Sequence, residues 1–107
     1  MNDFNFTEGL YLMMTTEADK LNAFRLSNNL MNKKLIACVN FINIESHFWW
    51  KGKINKSKEV QLIMKCKKEK LYEVSQNISK YHSYEIPEIV YFPVSSNNFY
   101  YKWASSI

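Results

Sequence analysis

Apolar positions along this chain recur with two periods, and the switches between them mark out its elements. Residues 9–15, Gly-Leu-Tyr-Leu-Met-Met-Thr, are apolar on both faces, the pattern of a strand in the middle of a sheet. Thr16 with Asp19 three residues on reads as a capping box for a following helix. In that helix Ala23, Phe24, Leu26, Leu30 and Met31 share one broad face, with Asn22, Arg25, Asn29 and Asn32 opposite. Residues 35–41 read as a second strand, which continues past an irregularity at Asn43 through Phe48, Trp49 and Trp50. Residues 51–58 read as the turn region of a long hairpin. The returning strand sets Val60, Leu62, Met64 and Cys66 on one face and Glu59, Gln61, Ile63 and Lys65 on the other. Leu71, Val74, Ile78 and Tyr81 then fall at helical spacing. A fourth strand covers 89–92, and Pro93 either ends it or places it at an edge. The aromatic run 99–103 closes the chain as a helical turn or two.

This order, βαββαβ plus a tail, predicts an α+β, ferredoxin-like sandwich with both helices on one face of an antiparallel sheet. The other face is left with Trp49, Trp50, Tyr91 and the tail aromatics, too much apolar surface for a small monomer. Burial against other copies of the same chain is the expectation.

Composition narrows the class. With 107 residues, 47% of them hydrophobic, and two prolines and two glycines, 1–107 reads as one ordered domain, with 1–8 as a flexible N-terminus. No apolar run reaches 18 residues, and the polar, acidic start is unlike a signal peptide, so no membrane is expected and the cytoplasm is. Cys38 and Cys66 have neither disulfide-framework nor zinc-site spacing and read as reduced thiols. The net charge is +4, concentrated between Lys51 and Lys70, where eight lysines face Glu59 and Glu69. That patch reads as a solvated hairpin tip. Nucleic acid is not expected as a partner, because the third strand, 59–65, carries none of the aromatics an RNA-binding sheet displays.

Four strings go further than composition. They are Leu35-Ile36-Ala37-Cys38-Val39-Asn40, Trp50-Lys51-Gly52-Lys53, Glu59-Val60 to Lys65, and His82-Ser83-Tyr84-Glu85-Ile86-Pro87-Glu88-Ile89. In this order and spacing they resemble the CutA divalent-cation tolerance family, from about residue 10 to 103, with Tyr101-Lys102-Trp103 a loose match to its closing motif. The resemblance implies an intertwined homotrimer whose long hairpins pair across subunits. It also implies a cytoplasmic, non-enzymatic role in tolerance of divalent metal, with copper(II) or another divalent cation bound and no organic cofactor. In members with a proposed copper site, a Cys ends the first strand and two adjacent His precede the Tyr. Those positions are Met14, Tyr81 and His82 here, so the resemblance implies His82 and Met14 as metal ligands. The Pro-Gly common after the second strand's motif is replaced by Ile42-Asn43-Ile44, where Asn43 can still host a bulge.

On chemistry alone, His82 reads either as a metal ligand or as a helix-terminal histidine facing the last carbonyls. His47, ahead of the Trp pair, reads as exposed or interface packing. Cys38, amid apolar neighbours on a central strand, reads as a buried, inert thiol, and Cys66 points to an apolar face. Lys65 lies on the polar face of its strand and needs a partner, for which Glu85 or Glu88 is available within the chain or across an interface. Lys65, Tyr84, Glu85, Glu88 and Trp50 therefore read as candidates for an inter-subunit cleft. Two alternatives stand for that set: an ion-pair network fixing the trimer, or a binding module for a small anionic ligand. No nucleophile–base pair or phosphate loop stands out, and an enzyme is not expected.

Overall fold

The computed structural model describes residues 3–107. Its elements are β1 (Phe6–Glu17), α1 (Lys20–Asn32), β2 (Cys38–Trp50), β3 (Lys53–Lys67), a 3-10 turn at Lys68–Lys70, α2 (Leu71–Tyr81), β4 (Val90–Asn97) and α3 (Asn98–Ser105). The strands form one antiparallel sheet in the order β2-β3-β1-β4. The ferredoxin-like order is therefore present, with a third helix at the C-terminus.

Strand alternation divides the sheet's two faces. Met13, Thr15 and Glu17 of β1 lie opposite Met64, Leu62 and Val60 of β3, and this face is roofed by α1 and α2 through Ala23, Leu26, Leu30, Val74 and Ile78. Each fully buried aliphatic side chain there contributes about 2 kcal/mol. The other face carries Leu10, Leu12 and Met14 of β1. Helix α3 covers only one end of it, with Ala104 packed on Leu10 and Ala37.

Several boundaries differ from the sequence reading. Thr16 does not cap α1, because β1 runs on through Thr16↔Gln61 and Glu17↔Val60. Asp19 is the cap, its carboxylate accepting from the Asn22 N–H at 2.9 Å. The buried seam of α1 is narrower than expected, consisting of Ala23, Leu26, Ser27 and Leu30; Phe24 and Met31 are exposed. Phe24 instead meets Phe41 edge-on at 5.0 Å. Strand β1 starts at Phe6, inside the stretch expected to be flexible, and pairs there with Asn97 of β4. Asp3 reaches the start of α3, accepting from the Asn97 side-chain amide at 2.7 Å and the Phe99 N–H at 2.8 Å. Met1 and Asn2 lie outside the described residues.

Strands β2 and β3 pair without a break from Cys38↔Lys65 to Trp50↔Lys53, so Asn43 hosts no bulge. The hairpin turn is only Lys51 and Gly52, both with positive φ (51° and 75°), as a type I′ turn requires. Residues 53–58, expected as turn, are strand. Because β1 stops at the Glu17↔Val60 pair, the ladder beyond Asn43↔Val60 projects as a bare two-stranded arm. It stretches the molecule to 50 × 26 × 20 Å. The bulge in the sheet lies at Gly9, where register shifts between β1 and β4. Strand β2 is an edge and not a central strand; β4 is the other edge, so it tolerates Pro93.

Cys66 sits on the helix-covered face, its Sγ 3.7 Å from Met13 Sδ, and burial pushes its thiol up to about 11. Below pH 9 the thiol is neutral whether the chain is folded or not. Above pH 9 it ionises first in the unfolded chain, so stability falls as pH rises to about 11 and then levels off with respect to this group. The loss is roughly 3 kcal/mol. Urea midpoints at pH 8.5 and 11 should show it, and Cys66→Ala should flatten the slope. An unchanged slope in the variant would assign the loss elsewhere.

Candidate functional site

The segment after α2 folds onto the end of β1 around a buried carboxylate. Glu17 falls at the inward parity of β1 and is 1% exposed. Its Oε2 accepts from the Ser83 N–H at 3.1 Å, and its Oε1 accepts from the Ser83 hydroxyl and from the Ala18 N–H at 3.3 Å. A buried carboxylate persists when its lone pairs are filled in this way. The Tyr84 N–H donates to Nδ1 of His82 at 2.9 Å. In the neutral ring this leaves the proton on Nε2, which is buried and without a hydrogen-bond partner among the described residues. Nδ1 also lies 3.6 Å from Glu17 Oε2, too long for a hydrogen bond. His82 is thus turned inward at the C-cap of α2, and does not face the helix carbonyls.

Tyr84 carries the loop across to β3, its hydroxyl donating to Glu59 Oε2. Burial and that carboxylate push the Tyr84 phenol well above its ordinary range, so it stays a donor. Glu59, expected on the polar face, is 7% exposed because this bond draws it in. Thr16 donates to Glu88 Oε1 at 2.9 Å, closing the loop on the opposite face of β1. The cluster clamps residues 82–88 to the sheet.

A second cluster lies beneath α3. Lys65 and Cys38 are direct cross-strand neighbours, with Nζ 3.5 Å from Sγ. The Tyr100 hydroxyl lies 3.6 Å from the same sulfur, and Lys65 Nζ stands 5.8 Å over the Tyr100 ring. Lys67 fastens the end of α3, donating to the Ser105 carbonyl at 3.0 Å. Cys38 is half-buried and flanked by polar groups, not embedded in apolar ones as expected.

The cleft candidates do not meet within one protomer. Along β3, Lys65 is six residues from Glu59, the partner of Tyr84, a separation of about 20 Å. Trp50 lies about as far again, at the arm tip, 41% exposed with Lys51 Nζ 6.0 Å from its ring. Glu85 is exposed, and within the chain Lys65 pairs with Cys38 rather than with Glu85 or Glu88. A broad groove of about 710 Å³ runs along α2 past Lys33, Tyr72, Gln76, Lys80 and Tyr81, and it includes none of these candidates.

The family model described as CutA1 divalent ion tolerance protein matches residues 11–106. The chain belongs to that family. It is 43% identical over 72 residues to a divalent-cation tolerance protein CutA of Archaeoglobus fulgidus, covering 67% of this chain and 71% of the relative. It is 33% identical over 95 residues to the Pyrococcus horikoshii protein of the same name, covering 88% and 93%. The solved structure of CutA from Synechococcus elongatus matches with a TM-score of 0.88 at 29% identity, covering 94% of this chain and 93% of that one. CutA1 from Ehrlichia chaffeensis matches at 0.86 and 30%, covering 92% and 94%.

A CutA-like chain raises the question of a metal, and the donors present within one protomer do not fit one at His82 and Met14. Met14 lies on the face of β1 opposite Glu17, while the His82 ring is packed beside Glu17 with its side chain fully buried. Among the described residues no group of three or more His, Cys, Asp or Glu side chains converges as a metal would need. Sequence reasoning missed Glu17, Ser83, Glu59 and Tyr100. Glu17 was open to detection, since it continues the inward series Met13, Thr15, and an acidic residue at that parity requires donors. Tyr100 carried no comparable signal, because helix α3 meets Cys38 only through the tertiary fold.

Proposed function

We propose that this CutA1-family chain works as a homotrimeric, cytoplasmic, non-enzymatic divalent-cation tolerance protein. Divalent metal such as copper is cargo or signal at the boundaries between subunits, and is not a cofactor held inside one protomer. The observation that carries this reading is the unfinished surface. The two-stranded arm beyond Asn43↔Val60 exposes Trp49, Trp50 and Ile54, and the sheet face beyond α3 exposes Ile42, Val90 and Phe92. A lone two-stranded ribbon is marginal in water, and a face of this kind on a small chain calls for cover. Further copies supply that cover while leaving α1 and α2 outside. The two free thiols support the compartment: they lie on opposite faces of the sheet, where they form no intrachain disulfide.

Native mass spectrometry of the purified protein, with and without stoichiometric copper(II), tests the reading. A trimer at micromolar concentration that takes up a fixed number of copper ions is expected. His82→Ala should leave copper affinity within about twofold, since that ring is sealed in the loop clamp. A monomer overturns the assembly. A tenfold or greater loss of copper affinity in His82→Ala, about 1.4 kcal/mol, restores a centre at His82. A trimer that ignores copper but is stabilised by a small anion without metal overturns the metal reading in favour of a ligand cleft.

A further inference from the structure

The Cys38, Lys65 and Tyr100 cluster has no part in the proposed role, and it places a thiol, an amine and a phenol within one contact distance. We propose that Cys38 and Lys65 form an oxidant-responsive covalent cross-link, a sulfenamide bond between Sγ and Nζ.

The geometry supplies what this reaction needs. Cross-strand register holds the two side chains abreast, with Nζ already 3.5 Å from Sγ, at the edge of near-attack distance. Cys38 is half-buried, open to a small peroxide but sheltered on one side by α3. A second thiol would ordinarily resolve an oxidised cysteine, but Cys66 is 1% exposed on the opposite face of the sheet. The Lys65 amine is the nucleophile in reach. Tyr100 stays protonated, its phenol pushed up to about 12 by burial and by Cys38, so it can donate to an oxygen on that sulfur.

The step balances in two parts. A peroxide takes two electrons from the Cys38 thiol; the O–O bond breaks, the thiol becomes a sulfenic acid, and water leaves. The Lys65 ammonium gives up one proton to solvent, and the free amine then attacks that sulfur. The N–S bond forms, the S–O bond breaks, and the departing hydroxide takes one amine proton and leaves as a second water. Sum and product agree: thiol, amine and hydrogen peroxide give the cross-link and two waters. An added thiol reverses it by attacking sulfur and releasing the amine. The bond removes the ammonium from above the Tyr100 ring, so oxidation would loosen one contact of α3.

Intact mass and peptide mapping of the assembled protein after stoichiometric hydrogen peroxide decide the matter. The expected product is lighter by two hydrogens, joins the peptides carrying Cys38 and Lys65, and reverts with dithiothreitol. Lys65→Arg keeps a cation in place but should not stop at the cross-link; its Cys38 should show about tenfold more labelling by a sulfenic-acid probe or more sulfinic product. Wild-type Cys38 that stays reduced, or passes to sulfinic acid with no cross-link, overturns the proposal. So does a cross-link that keeps an oxygen between nitrogen and sulfur. Cys66→Ala should cross-link as wild type does; loss of the product there would assign the chemistry to Cys66.

Discussion

Glu17→Ala should lower the free energy of unfolding by about 3–4 kcal/mol, because its carboxylate is the acceptor for the loop site. Removing it leaves the Ser83 N–H, the Ser83 hydroxyl and the Ala18 N–H without their partner at a part-buried site. It also opens a cavity beside the His82 ring, whose Nε2 has no hydrogen-bond partner among the described residues. Glu17→Gln keeps the volume and one acceptor oxygen, so about 1–2 kcal/mol is expected for it. Urea denaturation reads both, as a shifted midpoint at constant slope. A loss below about 1 kcal/mol in Glu17→Ala would mean that the loop stands without the clamp. The consequence reaches beyond stability. Ser83 and Tyr84 fix the path into β4, and β4 is one of the two sheet edges.

Gly9→Val should cost about 3 kcal/mol, from two causes that can be separated. The backbone there has φ of +128°, a region that L side chains rarely adopt and β-branched ones least of all. A Cβ at this position would also lie 3.1 Å from the Tyr101 ring, which must then give way. Tyr101 belongs to the small cluster that seats α3 on Leu10 and Ala37, so the substitution should loosen that helix first. In a Tyr101→Ala background the contact is gone and only the backbone strain remains, so about half of the cost should persist. Full recovery in that background would leave no role for φ, and a cost below about 1 kcal/mol in the single variant would leave no role for either cause.

The loop 82–89 was legible as a site but not as the structure it makes. Pro87 fixes its own φ and holds Ile86 extended, which with the flanking helix and strand marks the segment as held. What holds it is Glu17, 66 residues from Ser83 in sequence. Lys65 is legible as a charge in need of a partner, and within the chain that partner is Cys38 rather than Glu85 or Glu88. The register Cys38↔Lys65 decides it, and register is set only when the hairpin closes at Lys51 and Gly52. Met14 and His82 show the same limit, since aligned positions say nothing about which face of β1 a ring folds against.

By itself the sequence determined the element order, the α+β class, the inward set Val60, Leu62, Met64 and Cys66, the two helices, and a surplus of aromatic surface. These follow from local periodicity, because a strand repeats every two residues and a helix every 3.6. The tertiary structure alone decided the length of the free arm, the edge position of β2, the Glu17 clamp, and the meeting of Cys38, Lys65 and Tyr100 under α3. Each of these depends on where one element stops relative to another. β1 ends at Glu17 while β2 and β3 run on, and no periodicity within one strand encodes how far its neighbour reaches.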